Sequence, residues 1–213
     1  TTFIRCEFNN NSAMGVNVSG AGGATLKGCY IHDNSTNGLS NGGAGGVTSL
    51  DFTIIEANAA DAVTHVSTNL RLQNCTIDGN TGAATDGIAG TTPALVICLG
   101  TIFSNNGNYG ANYTDGDSAW TDYNNFYGNA TGARNNFPTG PNDQAVDPGF
   151  VDRANGNFAI GTALKALGYP GIFPGGLSTG YLDIGAVQRQ EGAGSGGLRT
   201  RPRHNLVTDG VLT

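Results

Sequence analysis

Short runs of alternating apolar and polar residues recur along the chain at a nearly constant spacing. They begin at Cys6, Cys29, Phe52, Cys75, Gly100 and Asn124. In each run an apolar residue stands two positions after the first, with polar residues around it, as in residues 29–32. The start positions differ by 23, 23, 23, 25 and 24 residues. A fixed period of this size is typical of a solenoid, in which each repeat packs on the next.

The alternation has a period of two residues, which predicts half-buried strands rather than helices. A second register, again 23 residues apart, begins at Gly15, Gly38 and Asp61. A third contains Val47, Leu70, Leu95 and Trp120, followed by Leu26, Leu72 and Ile97 at the next apolar position. At ~3.3 Å per residue, three short strands and three turns fill one coil. The pattern predicts an all-β fold, a parallel β-helix of about six coils of ~23 residues, right-handed by the general rule for parallel crossovers.

The periodicity divides the chain into three parts. We expect β-helix coils over residues 1–137, a C-terminal cap of the β-helix over 138–188, and a Gly-rich linker with an extended tail over 189–213. The first coil has no evident polar cap, so we expect upstream sequence or another subunit to cover it. The tail has a basic turn followed by alternating apolar residues, which can add to the edge of a neighbouring subunit. A frayed terminus is the alternative. The residues predicted to assemble are Arg199, Arg201, Arg203, Leu206, Val207, Val211 and Leu212.

The repeat resembles that of the right-handed parallel β-helix superfamily, which includes pectate lyases, phage tailspikes and secreted bacterial repeat proteins. The closing stretches 146–152, 156–160 and 182–187, with the run Asp183-Ile184-Gly185-Ala186, resemble the C-terminal segments of bacterial and phage-associated members. The resemblance implies the fold. It leaves the activity open, because this superfamily places lyases, hydrolases, adhesins and structural fibres on one scaffold.

Composition narrows the partners and the compartment. The 213 residues include 35 Gly and only 12% charged residues, which suits tight coils and an extracellular, cell-surface or virion location. A net charge of −6 argues against a nucleic-acid partner, since binding phosphates needs clustered Lys and Arg. The sequence contains no run of about 18 apolar residues, so no membrane span is predicted.

The cysteines follow the repeat. Cys6, Cys29 and Cys75 share one register, with Phe52 expected at the remaining level. We expect them to be buried thiols stacked inside the coil. A disulfide between Cys6 and Cys29 is the alternative, because Cα atoms ~4.8 Å apart on neighbouring coils can be bridged. Cys98 lies in another register.

Two groups of acids are candidates for chemistry. Asp33 and Glu56 are expected to stack, with His32 and Asp78 nearby. By the resemblance, lyases need acids that hold calcium beside an Arg or Lys base, and hydrolases need paired carboxylates. Solvated turn residues are the alternative, because the hydrolase motifs are missing. Asp115 and Asp117 resemble a fragment of a calcium loop without its later acid, or a structural turn.

Aromatic and amide side chains give two further predictions. Tyr109, Tyr113 and Tyr123, with Trp120 nearby in sequence, form either a sugar-stacking surface or part of the core. A ladder of stacked amides is expected at one corner of the coil, where it would satisfy the backbone of the turns. Its members are Asn11, Asn34, Asn80, Asn105 and Asn129.

These observations favour a non-enzymatic extracellular or virion-surface β-helix, structural or adhesive, that assembles with other subunits through its N-terminal coil and C-terminal tail. Catalytic residues, metals and cofactors are therefore not expected, calcium excepted at the site described above. The alternatives are a fragment of a polysaccharide lyase or glycoside hydrolase acting on acidic glycans, and a carbohydrate-binding module without turnover. The features that separate them are paired carboxylates in a groove and exposed tyrosines, respectively.

Overall fold

The fold consists of short strands that wind into a solenoid. The computed structural model describes residues 1–43, 45–66, 69–91, 95–115, 119–170 and 182–189. Sheet A contains β1 (Thr2–Ile4), β4 (Thr25–Lys27), β7 (Val47–Asp51), β10 (Asn69–Gln73), β13 (Val96–Leu99) and β16 (Ala119–Asp122). Sheet B contains β2 (Glu7–Asn9), β5 (Tyr30–His32), β8 (Ile54–Glu56), β11 (Thr76–Asp78), β14 (Ile102–Ser104) and β17 (Asn125–Tyr127). Sheet C contains β3 (Val16–Val18), β6 (Leu39–Asn41), β9 (Val63–His65), β12 (Ile88–Gly90), β15 (Tyr109–Tyr113) and β18 (Gly132–Asn135).

Each coil contributes one strand to each sheet, and every pairing between neighbouring levels is parallel. The chain passes from sheet A to B to C and then returns to A one level further on. The six levels correspond to the six copies in the sequence, so the predicted parallel β-helix is confirmed. In the described residues the helical structure is a 3-10 turn at Arg153–Asn155.

The inward side chains form continuous apolar columns. In sheet B, Ile31, Ile55 and Ile77 are fully buried in successive levels, and Phe103 stacks on Phe126 with ring centroids 4.8 Å apart. In sheet A the column contains Leu26, Leu50, Leu72 and Cys98. Stacking equivalent residues in this way buries the interior of every coil against its neighbours.

Two predicted registers are wrong by one residue. Thr53, not Phe52, lies between Cys29 and Cys75 in the column at the start of sheet B. The backbone amide of Cys29 donates a hydrogen bond to the Thr53 hydroxyl, with an N···O distance of 3.4 Å. In sheet A, Ile97 pairs with Arg71 and Trp120 pairs with Ile97, in a row one position before that of Leu72. Fixed spacing gives the first error because Thr53 follows Cys29 by 24 residues, and the second because Cys98 follows Leu72 by 26.

The other apolar residues predicted for the third register divide between the two sides of sheet A. Leu70 is buried, whereas Val47 and Leu95 are 53% and 47% exposed. The side chains of Val47 and Leu95 therefore lie outside the core of the coil. All four cysteines are free thiols in the structure; Cys29, Cys75 and Cys98 are fully buried and Cys6 is partly exposed.

Each coil turns twice through a residue in the left-handed conformation. The turns from sheet A to B use Arg5, Gly28, Phe52, Asn74, Gly100 and Tyr123, with φ between 49° and 62°. The turns from B to C use Asn10, Asp33, Ala57, Gly79, Asn105 and Gly128, with φ between 52° and 64°. Gly, Asn and Asp tolerate this conformation best. The repeated turn explains why these residue types are common in the chain.

An asparagine ladder follows the B-to-C turn. Each side-chain amide donates to the carbonyl oxygen of the amide on the next level, with N···O distances of 2.7, 2.8, 3.0, 3.0 and 2.9 Å. The ladder contains Asn11, Asn34, Asn58, Asn80, Asn106 and Asn129. The predicted ladder is thus correct in kind, but Asn58 was missed and Asn106 takes the place of Asn105. Asn105 instead adopts the left-handed turn conformation one residue earlier.

The chain after the coils has two roles. Residues 140–144 cover the end of the last coil, where Arg134 lies 3.8 Å above the Phe126 ring and pairs with Asp143 at 2.5 Å. Residues 147–170 and 182–189, named here the C-terminal segment, pack on the outer face of sheet B. The first part of the predicted cap therefore covers the end of the coils, and the rest covers their side.

Candidate functional site

The outer face of sheet B carries two rows of side chains. One row contains Glu7, Tyr30, Ile54, Thr76, Ile102 and Asn125, and the other contains Asn9, His32, Glu56, Asp78, Ser104 and Tyr127. Glu56 therefore pairs with His32, and Asp33 lies one position later in the turn. The predicted stacking of Asp33 on Glu56 is wrong. Thr53, not Phe52, is level with Cys29, so Glu56 is level with His32.

The C-terminal segment covers the middle and the later levels of this face. Ile160, Leu164 and Ile184 pack on Ile102, and Phe158 with Ala186 packs on Ile54. Two backbone amides of the segment donate hydrogen bonds to the coils. The amide of Ala186 donates to the Thr76 hydroxyl at 3.0 Å, and the amide of Gly185 donates to the Gly100 carbonyl at 2.8 Å.

Asp78 lies beneath this segment and is fully buried. Its Oδ1 accepts hydrogen bonds from the Ser104 hydroxyl at 2.6 Å and from the Asn105 amide at 2.9 Å. Its Oδ2 forms an ion pair with Arg153, which lies 75 residues later in the C-terminal segment. Every oxygen of this carboxylate is therefore engaged, and its role is to fasten the segment to the sheet.

A second polar cluster lies on the early levels of the face, where Tyr30 packs against Phe158 and Ala186 of the C-terminal segment. The two ring nitrogens of His32 lie 2.7 Å from Asp33 Oδ2 and 2.9 Å from Glu7 Oε1. The imidazole also stacks on Tyr30, with ring centroids 4.0 Å apart, and the Tyr30 hydroxyl donates to Glu56 at 2.5 Å. The structure thus brings together Glu7, Tyr30, His32, Asp33 and Glu56. Glu7 and Tyr30 were missed from the sequence; they pair with each other in the row beside that of His32 and Glu56.

Burial and hydrogen bonding shift the pKa values in this cluster. Burial lowers the pKa of His32, but the hydrogen bonds to Asp33 and Glu7 outweigh it, so that the pKa is raised above its ordinary value. Burial raises the pKa of Glu56, and the hydrogen bond from Tyr30 only partly opposes this. The cluster therefore keeps the imidazole protonated to a higher pH than an isolated histidine, and its contacts with Glu7 and Asp33 link two coils.

The first prediction is a pH-dependent contribution of His32 to stability. Because its pKa is raised on folding, the contribution is complete below the unfolded pKa of about 6.5 and is lost as the pH rises through the folded value. Glu7 and Asp33 are each more than half exposed, so we expect a loss of about 1 kcal/mol or less in His32→Gln. The melting temperatures of the two proteins should differ most near pH 5.5 and converge towards pH 9. A difference that does not change with pH would contradict this prediction, and Asp33→Asn should reduce the pH dependence.

The predicted sugar-stacking tyrosines are not brought together. Tyr109 lies on sheet C, whereas Tyr123 lies in the A-to-B turn with its ring against Tyr169 at 5.7 Å. Tyr113 is only 3% exposed and points into the coil, where its hydroxyl lies 2.5 Å from His65 Nε2. It is therefore a core residue and cannot stack on a ligand. Trp120 is 56% exposed on the outer face of sheet A.

The remaining predicted residues stay apart from these clusters. Asp115 is exposed in the loop after β15, and Asp117 lies outside the described residues. Within the described ranges, no three His, Cys, Asp or Glu side chains are grouped so as to hold a metal ion. The same part of the chain contains no helix with the length and apolar character needed to cross a membrane. The predicted assembly residues between Arg199 and Leu212 also lie outside the described residues.

Comparison with known proteins identifies the fold family. None of the curated proteins matches the chain. Residues 1–140 of the 213 match the family described as right handed beta helix region, and this range contains all eighteen strands of the described structure. The match covers well over half of the chain and agrees with its parallel coils. The chain therefore belongs to the right-handed β-helix family.

Proposed function

We propose that this protein is a non-enzymatic structural or adhesive β-helix of an extracellular, cell or virion surface, which assembles with other subunits through its first coil and its C-terminal tail. Its low content of charged residues, 12%, is in keeping with such a surface. The observation that carries the proposal is that the buried carboxylates pair with arginines of the same chain instead of facing a substrate.

The first coil offers both backbone and apolar surface. β1, β2 and β3 each pair with one neighbouring strand, so one edge of each is open in the described structure. Open strand edges are templates for adding further strands. Phe3, Cys6 and Phe8 are only partly buried, whereas Leu26, Cys29 and Ile31 one level further on are fully buried. A coil stacked on this end would complete all three sheets and bury the exposed apolar groups.

The buried carboxylates also support a structural role. Asp78, Asp143 and Asp183 each form an ion pair with an arginine of the same chain, and two of the three are completely inaccessible. Paired-carboxylate chemistry needs acids that face a substrate. These acids instead hold the end cap and the C-terminal segment in place.

Light scattering of the purified 213-residue chain tests the assembly directly. We expect a particle larger than a monomer, and we expect Phe8→Lys to shift it to monomer because a charge at the stacking surface must be desolvated. Val151→Lys is the matched control, because Val151 is 66% exposed and lies far along the chain in the C-terminal segment. A chain that is monomeric at every concentration would overturn the proposed assembly.

A truncation tests the tail separately. It should end after Gln190, because Arg189 pairs with the buried carboxylate of Asp183 and must be kept. We expect the truncated chain to assemble less than the complete one. Equal particle masses for the two chains would exclude a role of the tail while leaving the first-coil surface intact.

A further inference from the structure

A cavity lies between the later levels of sheet B and the C-terminal segment. Its volume is about 440 Å³, and its walls include Asn105, Tyr127, Asp147, Phe150 and Arg153. Ligand pockets in proteins typically have ~300–1,000 Å³. The cavity is therefore large enough for one sugar unit or a ligand of similar size.

The walls of the cavity are held in place by contacts within the chain. Tyr127 ends β17 and is 37% exposed, and its carbonyl accepts a hydrogen bond from the Asn105 amide nitrogen at 3.0 Å. On the other side, Asp147 accepts a hydrogen bond from the Gly149 amide at 2.9 Å. Phe150 packs edge-to-face on Phe158, with ring centroids 5.1 Å apart. Because both walls are braced, a ligand would bind without first having to order them.

The charges around the cavity favour a neutral ligand. The Arg153 guanidinium is partly exposed but already pairs with the buried carboxylate of Asp78. Asp147 is the carboxylate of the lining, so the lining carries one acid and one base. An anion would meet the Asp147 carboxylate, and a cation would meet the Arg153 guanidinium. A neutral ligand with many hydroxyl groups avoids both penalties and can use donors and acceptors together.

The exposed tyrosine ring adds a second criterion. The face of an aromatic ring is electron-rich and attracts the weakly positive C–H groups of a pyranose. Asn105 provides its side-chain oxygen, since its amide nitrogen donates to Asp78, while Asp147 provides an acceptor and Arg153 provides donors. We propose that this cavity binds one neutral sugar unit of a glycan, with the Tyr127 ring stacked on the sugar and the three polar side chains hydrogen-bonded to its hydroxyls. The inference rests on the adhesive part of the proposed function and names its ligand class.

The test is binding of monosaccharides to the full chain, followed by NMR. The probes are glucose, galactose, mannose and N-acetylglucosamine, with glucuronate and galacturonate as charged counterparts. We expect at least one neutral sugar to bind and to perturb the Tyr127 ring signals. Tyr127→Ala should weaken that sugar about three- to tenfold, the range expected for one aromatic contact. Tyr127→Phe, which keeps the ring, should bind nearly as well as the natural protein.

Trp120→Ala is the control, because Trp120 is exposed on the opposite sheet A. An effect of this substitution as large as that of Tyr127→Ala would overturn the assignment, as would binding of none of the probes. Tighter binding of a uronate than of its neutral counterpart would overturn the charge argument. The native mass is measured independently, so a monomeric protein that binds a neutral sugar would retain this inference and lose the proposed assembly.

Discussion

Replacing Asn80 with Ala should reduce the free energy of unfolding by about 3 kcal/mol or more. Asn80 is fully buried in the middle of the asparagine ladder. Its side-chain oxygen accepts hydrogen bonds from the backbone and side-chain nitrogens of Asn58 at 3.1 and 3.0 Å, and its amide donates to Asn106 at 3.0 Å. The substitution leaves the backbone N–H of Asn58 without its acceptor, removes one acceptor of its side-chain amide, which keeps the Glu56 carbonyl at 3.0 Å, and removes a donor from Asn106. Each unsatisfied buried group costs roughly 1–3 kcal/mol.

The matched control for Asn80 is the same substitution at the exposed end of the ladder. Asn11→Ala removes only the donation to Asn34 at 2.7 Å, and the backbone amide of residue 11 still reaches that oxygen. Asn11 is exposed, so water can replace what is lost, and we expect a cost below about 1 kcal/mol. Urea unfolding measures both variants. Faster hydrogen exchange of the Asn58 amide in Asn80→Ala would locate the loss. Costs that agree within error for the two variants would show that the ladder is not what stabilises this corner.

The repeat is strong enough to predict the fold and too regular to predict every register. Ile31 and Ile77 recur in comparable surroundings, and their alternation with polar neighbours reveals the strand of sheet B. Phe52 breaks the inference, since a bulky aromatic after two cysteines suggests a core position. In the structure Phe52 adopts the left-handed turn conformation, with φ of 49°, and Thr53 lies in the column. The same shift by one residue concealed Asn58.

The candidate site depended on contacts that periodicity does not contain. Outward rows follow from register alone, so His32 and Glu56 were close to predictable once the strands were aligned. The position of the C-terminal segment was not, because its apolar residues have no repeat to place them. The sequence places Asp78 near the predicted acids Asp33 and Glu56. Its pairing with Arg153 joins residues 75 apart and becomes visible only when the segment lies on sheet B.

Arg153→Met should loosen the C-terminal segment at a cost of about 2–3 kcal/mol. Methionine retains the apolar stem but leaves the fully buried carboxylate of Asp78 without its cation. Removing one partner of a buried pair typically costs 3–5 kcal/mol, and the lower expectation here reflects the arginine side chain, which is 44% exposed. The Ser104 and Asn105 hydrogen bonds to Asp78 remain. We therefore expect the segment to open while the coils stay folded.

Hydrogen exchange and limited proteolysis measure this opening where it occurs. The amides of Gly185 and Ala186, which bind Gly100 and Thr76, should lose protection in Arg153→Met while the amides of the inner strands keep theirs. Arg71→Met is the matched control, since Arg71 is exposed to a similar degree, 39%, but its partner Asp51 retains access to water. The control should cost less than about 1 kcal/mol. Adding Asp78→Asn to Arg153→Met removes the uncompensated charge and should recover part of the lost stability. If Arg153→Met and Arg71→Met have equal effects and the double substitution recovers nothing, apolar contacts alone hold the segment on the sheet.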